Sequence, residues 1–285
     1  MTAVYDALVI GGGPAGSATA LLLARAGWSV ALVERKAFPR RKVCGEYLSA
    51  TNLPLLDHLG VGAAFRDLAG PAVRRVGLFA GRAMLSADLP RPGGSHGEWG
   101  RALSREHLDV MLLEEARRAG ADIRQPLTVT SLRHEGGLNC CETQAPGVEQ
   151  TRTLAARVVV AAHGSWDAGT LPTQPIRLPP TPSDLLGFKA HFAASNLPAG
   201  LMPLLAFPGG YGGMVHCDGG RISLSCCIRR DQLDRVRGHH AGPAGEAVQA
   251  HIEASCLGAA KVLAAAQHSN MEKIGFVNTS QFVEE

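Results

Sequence analysis

Val4-Tyr-Asp-Ala-Leu-Val-Ile-Gly-Gly-Gly-Pro-Ala-Gly16, followed by an Ala/Leu-rich run to Ala26, Gly27 and Ser29-Val-Ala-Leu-Val-Glu34, is the stretch that decides the fold. Residues 4–10 form a short, mostly apolar run with a β-branched residue at each end, Gly11 to Gly13 break it, and Pro14 suits a first helical turn. Ser17 to Ala26 reads as a helix ended by Gly27, and Ser29 to Glu34 as a second strand. That completes a strand-helix-strand unit in about thirty residues. Gly11-x-Gly13-x-x-Gly16 stands where dinucleotide binding requires it, after a strand and at the start of a helix. Gly11 allows the tight turn, Gly13 lets the backbone approach a pyrophosphate and Gly16 permits close helix–strand packing, while the helix N-terminus faces the anion. Pro14 and Ala15 belong to the same turn, and Glu34 ends the second strand where a carboxylate accepts hydrogen bonds from a ribose diol. Arg35 and Lys36 leave two readings open, attraction for the extra phosphate of NADP or an ordinary solvated strand end.

Working outward, 285 residues suffice for one large or two modest domains. Hydrophobic residues make up 46% and charged residues 19%, the composition of a globular chain. A net charge of +3 gives no strong field to gather nucleic acid or acidic lipid, and 5% aromatic residues argue against base-stacking surfaces. No apolar run reaches the length of a membrane span, and the N-terminal run is cut by glycines and has no preceding Lys or Arg. The expectation is a cytoplasmic protein that keeps its N-terminus. Seven cysteines, including the vicinal pairs Cys140-Cys141 and Cys226-Cys227, show neither disulfide nor zinc-site spacing, so no metal is expected and both pairs read as structural.

Further along, Leu53 to Leu59 is weakly helical, and residues 71–100 read as strands and Pro/Gly-rich loops. Residues 104–119 form a strong helix with an acidic first turn and a basic last turn. Strand-like segments follow at 127–132, 138–143 and 157–161. From 185 to 229, short strands alternate with glycine turns such as Gly209-Gly-Tyr-Gly-Gly213, and 246–266 returns to helix. Gly93-Gly-Ser-His-Gly97 matches a nucleophile elbow in spelling, but Pro90 and Pro92 replace the buried strand that such an elbow needs.

Three pieces together resemble the flavoprotein hydroxylases and their geranylgeranyl-reductase relatives, over residues 1 to roughly 260. They are Val9 to Gly16 with Glu34, the loop Pro39-Arg-Arg-Lys-Val-Cys-Gly-Glu-Tyr-Leu-Ser49, and Leu103-Ser-Arg105 with Leu108-Asp109 and Ala116-x-x-x-Gly120. The resemblance implies an α/β fold, a Rossmann-like FAD-binding domain with an antiparallel β-sheet substrate domain. It implies FAD as cofactor and NAD(P)H as a possible electron donor. It divides the chain into an FAD-binding domain at 1–175, with 71–100 contributing to the substrate side, a substrate sheet and helix at 176–266, and an atypical polar tail at 267–285. The K-x-C-G loop resembles the reductase-like branch, and implies that Arg41, Lys42 and Cys44 lie along the flavin, with Arg105 reaching the cofactor from its helix. His163-Gly164 stands where hydroxylases carry Asp-Gly, which implies cofactor proximity and puts direct NAD(P)H use in question. Tyr211 is a candidate for lining the substrate cavity or for packing on the sheet.

A further Gly-Asp segment is expected after the substrate sheet in this family. The sequence reaches Glu285 without it, so the expectation is a C-terminally truncated enzyme. The function implied is FAD-dependent monooxygenation or reduction of a small organic substrate; no catalytic residue is singled out, and protein partners are not legible. Two other readings stay open: a non-catalytic dinucleotide-binding remnant, and a flavin-free NADP-dependent reductase.

Overall fold

A computed structural model describes residues 4–93, 97–164, 168–176, 178–193, 196–263 and 272–277. The nucleophile-elbow lookalike at Ser95, together with Ser165 and Trp166, lies outside the described residues. Along the chain come β1 (Val4–Ile10), α1 (Pro14–Arg25), β2 (Val30–Val33), β3 (Tyr47–Leu48), α2 (Leu53–His58) and α3 (Gly62–Leu68). Next are β4 (Arg75–Ala80), β5 (Ala83–Asp88), β6 (Arg101–Ala102), α4 (Arg105–Arg118), β7 (Asp122–Arg124), β8 (Thr128–Glu135), β9 (Leu138–Gln144) and β10 (Arg152–Ala161). The remainder is β11 (Leu185–Phe192), β12 (Leu201–Phe207), β13 (Gly210–His216), β14 (Ile222–Arg229), α5 (Arg230–Gly238), α6 (Ala244–Ser255), α7 (Leu257–Leu263) and β15 (Glu272–Val277). No helix among the described residues is long and apolar enough to cross a membrane.

These elements form two units drawn from interleaved segments, residues 1–40, 56–63 and 105–178 in the first and the rest in the second. The first holds a six-stranded sheet in the order β7-β2-β1-β10-β9-β8. β7, β2, β1 and β10 run parallel, and β9 and β8 extend the sheet antiparallel. β1 is apolar on both faces because both are covered. Ala7 and Val9 pack with Ala20 and Leu21 of α1 and Leu113 and Ala116 of α4, while Leu8 and Ile10 meet Val129, Cys141, Leu154 and Leu171. β10 begins five residues before the expected 157, because its first half pairs antiparallel with β9 and its second half parallel with β1.

The second unit is built on a seven-stranded sheet, β15-β11-β14-β13-β12-β4-β5. It is antiparallel except for β12 and β4, which run parallel. Side chains of a strand alternate between faces. Leu186, Phe188, Ala190 and Phe192 of β11, with Ile222, Leu224, Cys226 and Ile228 of β14, enter a core closed by Leu233 of α5, Val248 and Ile252 of α6 and Val262 and Leu263 of α7. Lys189, His191, Ser223 and Ser225 therefore fall on the opposite face. Within the polar tail, Glu272–Val277 is a strand on the sheet edge that the sequence reading did not identify, paired antiparallel with β11. Edge pairing uses backbone N–H and C=O groups, so apolar alternation is not needed to form it.

Candidate functional site

In the first unit the glycine turn joins β1 to α1. Gly11 adopts φ +107, and a Cβ there would stand 2.4 Å from the Ala162 carbonyl oxygen. At Gly16 a Cβ would lie 1.8 Å from the Gly11 oxygen, so the crossing of helix and strand admits no side chain. Gly13 differs, since a Cβ would meet only Arg105 Nη2 at 3.6 Å and Arg40 Nη2 at 3.8 Å. Gly13 is the N-cap of α1 and supplies no side-chain cap, Pro14 occupies the first helical position, and the first-turn N–H groups, Ala15 and Gly16 among them, point out of the helix end.

Glu34 closes β2 and is 5% exposed. Its carboxylate accepts hydrogen bonds from the Gly12 N–H at 2.8 Å and the Lys36 N–H at 2.9 Å. Arg40 reaches into the same region, its Nη2 lying 3.6 Å from Glu34 and 3.7 Å from Asp109, with the guanidinium stacked over Phe38 at 4.6 Å. Its Nε and Nη1 are buried and have no hydrogen-bond partner among the described residues. Burial is the largest influence on Arg40 and pulls its pKa below the ordinary value, against the pull of Glu34 and Asp109. Arg105, at the start of α4, forks onto buried Asp109 with contacts of 2.5 and 2.9 Å. Two guanidiniums thus flank an open glycine at a helix N-terminus, and one of them keeps two donors in reserve. That donor set fits a diphosphate.

His163 and Gly164 follow β10 beside this turn; a Cβ on Gly11 would lie 3.0 Å from the His163 Cα. His163 Nε2 bonds the Thr173 carbonyl at 2.9 Å, and its Nδ1 is buried without a partner among the described residues. Arg35 and Lys36 line an open cavity of about 790 Å³ with Thr128 and residues 144–149. The structure therefore brings together Gly11, Gly13, Pro14, Ala15, Gly16, Glu34, Arg105, His163 and Gly164. Arg41, Lys42 and Cys44 belong to the second unit.

There, an apolar pocket of about 390 Å³ lies on the face of the sheet away from the helices. Val43, Cys44 and Tyr47 meet Met202 and Leu204 of β12, Tyr211 of β13 and Cys227 of β14 around it, and no charged side chain among the described residues lines it. Gly213, on the same face of β13 as Tyr211, presents no side chain to it. Tyr211 is thus a pocket residue. The two members of the second vicinal cysteine pair differ: Cys226 is buried in the core, where burial raises its thiol pKa, while Cys227 sits near Tyr211 at the pocket.

Behind the pocket, Glu46 is buried between Lys189 and His191; it bonds Lys189 Nζ through Oε1 and His191 Nε2 through Oε2 at 2.8 Å. Burial alone would raise the Glu46 carboxyl, but the His191 hydrogen bond and the Lys189 ammonium outweigh it and hold the pKa at about 2. Cys217 approaches Glu46 and His191 within 4.8 Å, a spacing that could hold a metal ion, yet the Lys189 ammonium already supplies positive charge to that carboxylate. Its own thiol is pushed up to about 12 by burial and by Asp218 and Glu46.

Arg40, Asp109 and Glu46 lie inside the segments that carry the family resemblance, but nothing in the sequence singles them out as site residues. Arg40 is one of three consecutive basic residues, and only Phe38 two positions earlier hints at which one is drawn inward. The alternation Phe188-Lys-Ala-His-Phe192 does announce a polar face on β11, though not that this face is buried.

Comparison with known proteins agrees with this geometry. Menaquinone reductase from Mycobacterium tuberculosis is 30% identical over 161 residues, covering 56% of this chain and 38% of its own. Geranylgeranyl diphosphate reductase from Rhodobacter capsulatus is 33% identical over 166 residues, covering 56% of this chain and 38% of its own. The chain thus spans under two fifths of the length of these relatives. Among solved structures, the myxobacterial chondrochloren halogenase superposes with a TM-score of 0.76 at 23% identity, over 97% of this chain and 65% of its own. A geranylgeranyl bacteriochlorophyll reductase-like protein from Thermoplasma acidophilum gives 0.74 at 20% identity, over 97% and 67%. These two likenesses show a shared fold. The FAD binding domain family matches residues 4–198, more than half the chain, and with the glycine turn, Glu34 and the paired guanidiniums in place the chain belongs to that family.

Proposed function

We propose that the chain carries the FAD-holding and substrate-facing parts of an oxidoreductase that acts on an apolar organic small molecule. The observation that carries this reading is Arg40, whose buried Nε and Nη1 stand without partners among the described residues, beside Gly13 and Arg105. In this reading Arg40, Arg105 and the α1 N-terminus hold the FAD diphosphate, and Glu34 accepts the ribose hydroxyls. Gly11 and Gly16 keep the turn tight, and His163 and Gly164 border the site. Bound FAD supplies the redox chemistry, by taking electrons from an external donor such as NAD(P)H and passing them on.

The second unit orients the substrate and excludes water. Its pocket presents apolar side chains and no charge, which suits a neutral, largely hydrocarbon molecule. Arg41, Lys42 and Cys44 form the loop assigned to the flavin side by resemblance. That loop and the two reductase relatives favour reduction over oxygenation. All seven cysteines are free thiols, which supports a reducing, cytoplasmic setting.

Reconstitution with FAD, followed by anaerobic turnover of candidate apolar substrates, tests the reading. A flavin spectrum and product made without oxygen are expected. Protein that acquires no flavin absorbance overturns the proposal, and product that requires oxygen moves it to monooxygenation.

A further inference from the structure

Glu46 has three features that the cofactor and substrate readings leave unused. Its φ is +61, the only positive value at a non-glycine residue among those described. Its carboxylate is fully buried between two side chains of β11, the Lys189 ammonium and the His191 imidazole. Its N–H points at Cys44 Sγ, 3.4 Å away. A side-chain-bearing residue stays left-handed only where its surroundings over-determine it. The surroundings here are explicit. Lys189 Nζ donates to the Glu46 carboxylate and to the Lys42 carbonyl at 3.3 Å, and His191 holds the other carboxylate oxygen. The Ser225 hydroxyl donates to the Cys44 carbonyl at 2.6 Å, and the Leu103 N–H donates to the Glu46 carbonyl at 3.2 Å. The backbone of the loop is thus tied to β11 at Lys42, to β14 at Cys44 and to Leu103 at Glu46, and Cys44 lines the pocket.

We propose that Glu46 is a positioning residue: the Lys189–Glu46–His191 clamp keeps residue 46 left-handed so that its N–H donates to the Cys44 sulfur and fixes that thiol at the pocket wall. The inference rests on the reading that this pocket receives substrate. Its test uses neither flavin nor turnover, so the two can fail separately.

Iodoacetamide alkylation of Cys44 in the full 285-residue chain, followed peptide by peptide in the mass spectrometer, reads the clamp. Glu46→Gly takes the left-handed conformation without strain but has no carboxylate, and should be alkylated at Cys44 about three- to tenfold faster, the change one hydrogen bond carries. Glu46→Gln still accepts from Lys189 and should stay within about twofold of the unmodified protein. A folded Glu46→Gly protein alkylated at the unmodified rate overturns the proposal. Should that variant fail to fold, amide hydrogen exchange decides. A protected Glu46 N–H that loses protection in Cys44→Ala supports the clamp; one that exchanges like an open loop, or stays protected in Cys44→Ala, overturns it. Repeating the alkylation after FAD reconstitution tests the underlying reading by itself, since absent flavin absorbance fails that reading and leaves the clamp result standing.

Discussion

Two glycines three residues apart are required for different reasons, and substitution separates them. An Ala at Gly16 would put Cβ 1.8 Å from the Gly11 oxygen, which is backbone and cannot swing aside. The apo protein should lose about 1–3 kcal/mol of stability, seen as a lower Tm. An Ala at Gly13 meets its neighbours at ordinary contact distance. Its Tm should be unchanged, while FAD affinity measured by flavin fluorescence falls about tenfold or more, because the methyl occupies the approach of a diphosphate to backbone N–H groups. Arg40→Met removes the two unpartnered buried donors, and Glu34 and Asp109 keep their other partners. Apo stability should therefore hold within about 1 kcal/mol while FAD binding weakens about tenfold or more, the worth of a charge-assisted bond. The glycine roles were legible because each follows from backbone geometry at fixed spacing. Arg40 was not, since three adjacent cations differ only in where the chain turns them.

At the scale of elements, the loop of residues 42–46 and β11 are joined by charge, and that junction has a pH dependence with a definite sign. Glu46 is held at about 2 against an ordinary 4.5, and Asp218 at about 2 against 3.8. For Asp218, burial opposes the shift, and the Ser104 N–H and Arg221 overcome it. A carboxylate with a depressed folded pKa contributes stability above its unfolded pKa, and that contribution is lost as pH falls toward the folded value. The second unit should therefore weaken between about pH 4.5 and pH 2, with Glu46 accounting for on the order of 3 kcal/mol. Glu46→Gln should flatten the drop in chemical denaturation curves taken across that range; an unchanged slope would show that the clamp carries no pH-linked stability. The elements themselves were largely legible: β1 runs over the expected residues, and α1 and α4 lie within a few residues of theirs, because apolar period and caps agree. β15 escaped notice because an edge strand is held by its backbone, and the αL backbone of Glu46 escaped because long-range ion pairs impose it.

For the whole molecule, the two units divide the proposed work, and the division can be measured. The first unit holds polar and cationic groups around an open glycine turn, whereas the pocket of the second is uncharged. Across the sheet, Leu85, Leu78 and Leu204 stand in one register row on β5, β4 and β12, at 69%, 46% and 42% exposure. Exposed leucines in a row that ends at an apolar pocket suit a substrate whose hydrocarbon part extends along the sheet. A charge placed there would have to be desolvated by such a substrate. Leu204→Lys should thus raise KM for an apolar substrate about tenfold or more and leave FAD affinity unchanged, since Leu204 packs in neither the helical core nor the glycine turn. A loss of FAD affinity together with the rise in KM would mean that the pocket serves the cofactor instead, and would move the substrate away from this sheet.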